Sequence, residues 1–423
     1  MPHPATIAPD LARSRLIAGA KSIAGTELIR LDDADGRINA ADIIAQNNLP
    51  ATANAAVDGY AIHTAFLQDN PDYHFEVIGR AAAGHPFNKP IAPGQAVHIF
   101  TGAIMPNGPD AVAMHEDCTT FDDAGSDTKV QIHKTLKPGA NNRPAGENIA
   151  IGETIIPAGK RLGPADLGIA AAAGIAQITV RKRLTIGLLS MGDEVIDAGD
   201  ENGTGQTSPA AIGQVYDSNR PMLASLLRAD GYIVNDYGII ADDLAALTAA
   251  YKTALDACDI VISSGGASDG DEDHTQQALR NNDAALVFWR LAMKPGRPMA
   301  VGAVGDKRIF CLPGNPVAAF VCYRLIAAPA FFTMAGGITS PIMRVAVRAD
   351  FDHKKHAGRA EYLRVKLAAG DDGVMAMQLY GRRGAGVLSS LTGADGLVEI
   401  PVENTGVSAG DYLTFIPFRE AGL

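Results

Sequence analysis

The chain has 423 residues, more than one hydrophobic core normally supports, which predicts about two to four domains. Its composition is globular (47% hydrophobic, 20% charged), and its formal net charge of −11 argues against a nucleic-acid partner, whose phosphates call for cations. We expect no membrane-spanning run and no N-terminal secretory signal, and the four scattered cysteines fit a reducing cytoplasm.

The first 180 residues combine a few helical segments with many short strands. Helices are predicted over 9–24, 38–46 and 164–173. Alternating apolar and polar residues, spaced as in a small β-barrel or sandwich, predict strands over 74–80, 95–100, 110–116 and 129–134. Asp58 precedes a glycine at a tight turn into a strand, and Thr101 ends another strand. Taken alone, Asp58 is better explained as a turn residue, and Thr101 is equally well explained as a cap or turn residue.

From residue 184 strands alternate with helices, a pattern typical of a parallel sheet. Strands are predicted over 185–189, 232–240 and 258–262, each followed by a helix. Asp217 and Asp242 are interpreted first as caps of the next helices. A hairpin is predicted over 298–312 and a long apolar helix over 316–334. Five short strands then form a separate β domain, at 343–348, 362–367, 374–379, 397–400 and 412–416.

A glycine-rich turn follows the strand that ends near residue 262. Ligands of open α/β sheets bind beyond the carboxyl ends of the strands, and the serines and glycines over 263–268 suit a phosphate or pterin edge. Four acids over 269–273 repel an anion unless a divalent cation lies between, and Mg²⁺ is typically held by one or two carboxylates and substrate phosphates. With the Pro-Gly turns over 294–298 and 312–316, the region predicts an anion site with a divalent ion, although a solvated turn explains the loop alone equally well.

Eight motifs, in order along the chain, resemble those of the MoeA family of molybdenum-insertion enzymes, which includes the E domain of gephyrin. They lie at 57–61, 101–112, 143–148, 191–195, 217–219, 264–273, 294–298 and 312–316. A single motif of this kind is weak evidence, whereas eight in the same order are highly specific.

The resemblance implies an elongated α/β multidomain protein that forms a homodimer. Its domains are a helical linker domain (1–50 plus 141–180), a small β domain (51–140), a molybdopterin-binding doubly wound α/β domain (181–331) and a C-terminal β-barrel domain (332–423). It also implies a cytoplasmic transferase that inserts molybdate into adenylylated molybdopterin and releases AMP, with Mg²⁺, at the dimer interface. The finished cofactor would pass to a molybdoenzyme or a cofactor carrier, and neither nucleic acid nor membrane is an expected partner.

The same resemblance assigns roles to individual residues. The catalytic positions are Asp58, Thr101, Glu194, Asp242, Asp273 and Lys294, with Asp58 and Thr101 supplied by the partner chain. Mg²⁺ ligands are expected among Glu194, Asp242 and Asp273. Substrate-binding positions are Arg143, Asp217, Ser264, Gly265, Gly266, Ser268, Arg290, Arg297, Pro298, Pro313 and Pro316.

Several positions depart from the family pattern, and three of them remove a polar group. Asn148 replaces an aspartate and cannot ionise, Met191 replaces a threonine, and Ala385 replaces a serine. In addition, Val57 replaces a methionine and Asp269 an apolar residue. These changes leave open reduced activity, use of another oxyanion such as tungstate, or a non-catalytic paralogue that binds molybdopterin and delivers the cofactor. A generic nucleotide-binding α/β protein would need only the central loop, so the ordered motifs outside that loop argue against this alternative.

Overall fold

The computed structural model describes residues 6–122, 127–198, 210–266, 274–370 and 372–418. Its N-terminal part contains a mixed six-stranded sheet, accompanied by the short helix Thr64–Asp69. In spatial order the strands are Ala111–Met114, Gly59–Ile62, Gln95–Ile99, His74–Ala81, Asp127–Ile132 and Cys118–Asp122. Alternate residues of these strands enter two apolar clusters, one on each face of the sheet. The four strands predicted over 74–134 are therefore confirmed.

The segments on either side of this sheet pair with each other through short strands. Thr26–Arg30 is antiparallel to Gln177–Arg181, Ile43–Ile44 to Thr154–Ile156, and Asn54–Ala55 to Asn142–Arg143. The helix Pro164–Ala172 agrees with the prediction. The first helix is shorter than expected, Pro9–Ala18, and the helix predicted over 38–46 is wrong, because that stretch forms a strand and isolated bridges to distant residues.

The central part is an open sheet with helices on both faces. Its strand order is Ile233–Ile240, Thr185–Met191, Ile260–Ser264, Lys307–Leu312, Pro298–Val304 and Ala285–Arg290, of which the first four are parallel. Ile260 and Ile262 face one apolar cluster and Val261 faces the other, so the sheet is buried on both sides. The covering helices include Asn219–Ala229, Leu244–Ala257 and Thr275–Asn281.

A long apolar helical segment follows the last parallel strand, as predicted. It consists of the α-helix Pro316–Cys322, the π-helical turns Tyr323–Ala327 and the α-helix Ala328–Met334. In length and composition, Pro316–Met334 qualifies as a membrane span, which corrects the expectation that no apolar run is long enough. The structure gives a different reason for its apolarity, since 67% of its apolar 18-residue stretch is buried within the protein.

The C-terminal part is a closed five-stranded barrel. The pairing order is Ala360–Ala369, Met375–Leu379, Val345–Ala349, Tyr412–Pro417 and Gly396–Ile400, and the last strand pairs back with the first. All five strands match predicted segments. The two-residue strand Met293–Lys294, which belongs to the central part in sequence, pairs with the start of the strand Ala360–Ala369.

Candidate functional site

A cavity of about 730 Å³ lies at the carboxyl ends of the central strands. In chain order Thr185–Met191 is the first strand of this sheet, Ile233–Ile240 the second and Ile260–Ser264 the third. In the sheet the first strand lies between the other two. The switch point of such a sheet, where the connections diverge to either side of the first strand, is the usual ligand site of the fold. The loops that follow the first and third strands both line the cavity.

The glycine turn after Ile260–Ser264 packs against the end of the neighbouring strand. Gly265 has a φ of +96° and donates its backbone N–H to Leu312 O at 3.1 Å. A Cβ atom at Gly265 would stand 2.5 Å from Met191 O, and one at Gly266, with a φ of +64°, would stand 2.4 Å from Met191 Cε. At Gly265 both the backbone conformation and the close backbone contact exclude a side chain, and at Gly266 the positive φ favours glycine.

Asn219 joins three of the loops around the cavity. Its amide nitrogen donates to Ser264 Oγ at 2.7 Å and to Gly314 O at 2.6 Å. Asn219 Oδ1 and Ser190 Oγ are buried and accept no hydrogen bond from the described residues, and both residues line the cavity. Buried polar atoms normally have partners, so these two oxygens are positions where a ligand or water would complete the bonding.

Asp217 also lines the cavity, but its carboxylate is fully used within the protein. Oδ1 accepts the backbone N–H groups of Asn219 and Arg220, and Oδ2 accepts from Arg220 Nε at 3.1 Å. Arg220 further pairs with Asp197 and Asp236. Asp217 therefore bonds the first two backbone N–H groups of the helix from one residue before the N-cap position, Ser218, and orients that helix beside the cavity.

The capping role expected for Asp242 is wrong by one residue. Asp243 is the N-cap of helix Leu244–Ala257, and its side chain accepts from Ala246 N at 2.8 Å. The backbone N–H of Asp242 is held by Asp193 Oδ1 at 3.0 Å. The carboxylate of Asp242 thus does not cap the helix, and Asp242 lines the cavity.

Glu194 and Asp242 are the carboxylates at the cavity that the helix ends do not use. Partial burial and the negative charges of Asp193 and Glu194 raise the pKa of Asp242 above its ordinary value. Like charges held close together in this way favour a bound cation. Within the described ranges no three His, Cys, Asp or Glu side chains are grouped to hold a metal ion. Two carboxylates completed by substrate phosphates nevertheless suit Mg²⁺.

The remaining predicted residues of the central part occupy three kinds of position. Ser264, Gly265, Gly266, Pro298, Pro313 and Pro316 line the cavity with the acids. Lys294 and Arg297 are exposed on the turn that leads to Pro298, and Arg290 is half-buried on the preceding strand, but none of the three lines the cavity. Ser268 and Asp273 lie outside the described residues.

Asp58, Thr101 and Arg143 belong to the N-terminal part and do not line the cavity of their own chain. Asp58 Oδ1 accepts both the backbone N–H and the hydroxyl of Thr101 at 2.7 Å. These hydrogen bonds, aided by His115 and His98, hold the pKa of Asp58 below its ordinary value. Asp58 is therefore an exposed carboxylate that stays ionised at neutral pH.

Sequence reasoning missed several residues of the cavity. Asn219 was recognised within its motif but given no role, and Ser190, Asn315 and Gly386 were not assigned. Gly386 comes from the loop of the C-terminal barrel that lies against the helix starting at Pro316, where Val317 N donates to Ala385 O at 3.0 Å. No local sequence pattern indicates that these two domains touch, so only the fold reveals this contact.

Taken together, the fold and the cavity define a multidomain protein whose doubly wound α/β domain carries a cavity at its switch point. Three family models match the chain: "MoeA N-terminal region (domain I and II)" over 7–174, "Probable molybdopterin binding domain" over 187–333 and "MoeA C-terminal region (domain IV)" over 346–418.

Curated relatives and solved structures agree with these models. The chain is 33% identical to a molybdopterin molybdenumtransferase of Haemophilus influenzae over 97% of this chain and 98% of the relative. It is 30% identical to the protein of that name from a Nostoc species, over 96% and 93%. A molybdopterin biosynthesis MoeA protein of Pyrococcus horikoshii matches with a TM-score of 0.81 and 26% identity over 98% of this chain and 100% of that one. The chain belongs to the MoeA family, and the resemblance seen in the motifs is confirmed.

Proposed function

We propose that the chain is a molybdopterin molybdenumtransferase of molybdenum cofactor biosynthesis. It inserts molybdate into adenylylated molybdopterin and releases AMP. The observation that carries the proposal is the cavity at the switch point, lined by glycine turns and the carboxylates of Glu194 and Asp242, in a chain that matches transferases along almost its whole length. The four cysteines are free thiols, which agrees with a cytoplasmic location.

The proposed chemistry depends on charge neutralisation more than on a strong nucleophile. Cleavage of the phosphoanhydride that joins AMP to molybdopterin develops negative charge on phosphate oxygens, and fixed cations stabilise that charge. Lys294 and Arg297 supply such cations beside Pro298, which lines the cavity. Mg²⁺, when bound, would neutralise the phosphates and polarise the anhydride.

Glu194 and Asp242 would hold the Mg²⁺, with Asp273 as a further ligand. Ser264, Gly265 and Gly266 would receive the pterin or a phosphate edge, and Pro313 and Pro316 line the cavity from the adjacent loop. Asp217 would act indirectly, through the helix that presents Asn219.

A second chain would supply the rest of the site. Asp58, Thr101 and Arg143 do not line the cavity of their own chain, so a homodimer that brings them to the partner's cavity accounts for their roles. Asp58 Oδ2 has no hydrogen bond from the described residues and would face the substrate.

A binding protein that delivers the cofactor to a molybdoenzyme or a carrier is the second candidate. Met191 lines the cavity where the family pattern has a hydroxyl, and Ala385 provides only its backbone carbonyl beside the cavity. Both substitutions remove donors that could hold an oxyanion.

The test is AMP release by the purified protein from adenylylated molybdopterin, with and without Mg²⁺ and molybdate. We expect release that needs both, and a parallel assay with tungstate identifies the preferred oxyanion. Tight substrate binding without AMP release under all conditions would contradict the enzyme and support the binding protein.

A further inference from the structure

The turn that carries Lys294 is built into the C-terminal barrel. Lys294 pairs in parallel register with Glu361 on the strand Ala360–Ala369, and Ala360 N donates to Ala292 O at 2.9 Å. A segment of the α/β domain thus forms an additional short strand on another domain's barrel. The barrel consequently fixes the backbone from which the Lys294 side chain extends.

The side chains continue this connection. Lys294 Nζ lies 3.2 Å from Glu361 Oε1, and Glu361 Oε2 lies 2.8 Å from His353 Nε2. The side chains of Glu361 and His353 are 8% and 5% exposed, whereas that of Lys294 is 57% exposed. One ammonium group is therefore held from the protein side by a buried carboxylate while most of its side chain remains accessible.

Glu361 is held as a carboxylate in spite of its burial. Burial opposes ionisation, but the hydrogen bonds from His353 and Lys294 keep the pKa of Glu361 below its ordinary value. His353 Nδ1 is buried without a hydrogen bond to the described residues. A buried charged group of this kind seldom adds stability over an apolar one, so its presence calls for another explanation.

We propose that Glu361, oriented by His353, is a positioning residue that fixes the Lys294 ammonium for its contact with the substrate phosphate. This inference rests on the proposed function, in which Lys294 neutralises charge on the reacting phosphate. It gives the C-terminal barrel a part in the reaction without requiring Glu361 or His353 to touch the substrate.

The test is a double-mutant cycle on AMP release. Glu361→Gln keeps the side-chain size and removes the charge, and a hydrogen bond to a charged group is worth roughly 1.5–3 kcal/mol, so we expect kcat to fall about 10- to 100-fold. On the Lys294→Ala background, Glu361→Gln should cause little further loss, because the two residues act as one unit. Glu399→Gln is the matched control. Glu399 pairs with Tyr362 and Arg344 in the same barrel and is also largely buried, but it does not pair with Lys294. Its variant should therefore keep kcat within about twofold.

A second measurement does not depend on turnover. The rate at which an amine-reactive acylating reagent modifies Lys294, followed by mass spectrometry, should rise in Glu361→Gln and stay unchanged in Glu399→Gln. Two results together would overturn the inference. The first is a loss of kcat in the double variant equal to the product of the losses in the two single variants, and the second is an unchanged acylation rate of Lys294 in Glu361→Gln.

The cycle also separates this inference from the proposed function. If Lys294→Ala abolishes AMP release while Glu361→Gln retains it, the positioning role alone is wrong. If Lys294→Ala is fully active, the role of Lys294 in the reaction is wrong, and the positioning role fails with it.

Discussion

At the scale of single residues, the cavity keeps negative charges together at a cost to stability. Asp242 is partly buried and close to Asp193 and Glu194, and the result is a carboxylate whose pKa is raised. An acid with a raised pKa in the folded state destabilises the fold when it is ionised and ceases to do so once it is protonated. A carboxylate whose pKa is raised by burial and by neighbouring like charges is more typical of a functional site than of a structural ion pair.

Asp242→Asn should therefore stabilise the protein while it reduces activity. We expect a higher Tm at neutral pH, because the substitution removes a partly buried charge and its repulsion by Asp193 and Glu194. AMP release should fall by about 100- to 1,000-fold, as for loss of a charge-stabilising group. The Tm difference should shrink as the pH is lowered through the raised pKa of Asp242, since the wild-type carboxyl becomes neutral there. Differential scanning fluorimetry over a pH series measures this effect.

The control is Asp306→Asn, which changes an exposed carboxylate on the hairpin turn of the same domain. It should alter neither the Tm nor AMP release appreciably. A lower Tm for Asp242→Asn at neutral pH would contradict the electrostatic account.

At the scale of elements, the glycine turn after Ile260–Ser264 gives the cavity its shape. The turn combines positive φ values with close contact to Met191, so its geometry depends on the packing of two neighbouring strands. A side chain there would displace the loops that Asn219 ties together.

Gly265→Ala should lower both the Tm and the affinity for adenylylated molybdopterin. Gly305→Ala is a matched control, because Gly305 also has a positive φ of +57° but no atom within 4 Å of its Cβ position. Both variants carry the strain of a left-handed alanine, roughly 1–2 kcal/mol. Only Gly265→Ala adds a clash, so isothermal titration should detect weaker binding in that variant alone. Equal binding by the two variants would show that the turn does not shape the site.

The elements themselves were largely predictable, because local periodicity fixed most of them. The parallel strands 185–191 and 260–264 stand out as apolar runs that end in glycine-rich turns. The segment 38–46 was misassigned as a helix, since its strand is defined by pairing with Thr154–Ile156, more than 100 residues away. Similarly, the choice of cap between Asp242 and Asp243 depends on a backbone turn that the sequence leaves open.

At the scale of the whole molecule, the proposed site draws on all parts of the chain. The α/β domain supplies the cavity, the C-terminal barrel supplies Gly386 and holds Lys294, and a second chain would supply Asp58. The sequence motifs pointed to most of these residues through the family resemblance. The barrel contacts lay beyond prediction, because no local pattern records which domains touch.

A shared site predicts that two inactive variants complement each other. Asp58→Ala and Asp242→Asn should each be nearly inactive alone. After mixing, partial unfolding and refolding together, AMP release should recover to about one quarter of the wild-type rate, because half of the dimers are mixed and each holds one intact site. No recovery, with mixed dimers demonstrated by affinity tags, would contradict a site formed by two chains.

The cavity at the switch point is proposed to be where AMP is released. The deciding measurement is molybdate-dependent AMP release in a single turnover by Glu194→Gln, beside wild type and Asp306→Asn. Glu194 lines the cavity without capping a helix, so we predict a loss of about 100-fold or more with the fold intact and Asp306→Asn unaffected. Wild-type rates in Glu194→Gln would contradict the assignment of this cavity as the reaction site.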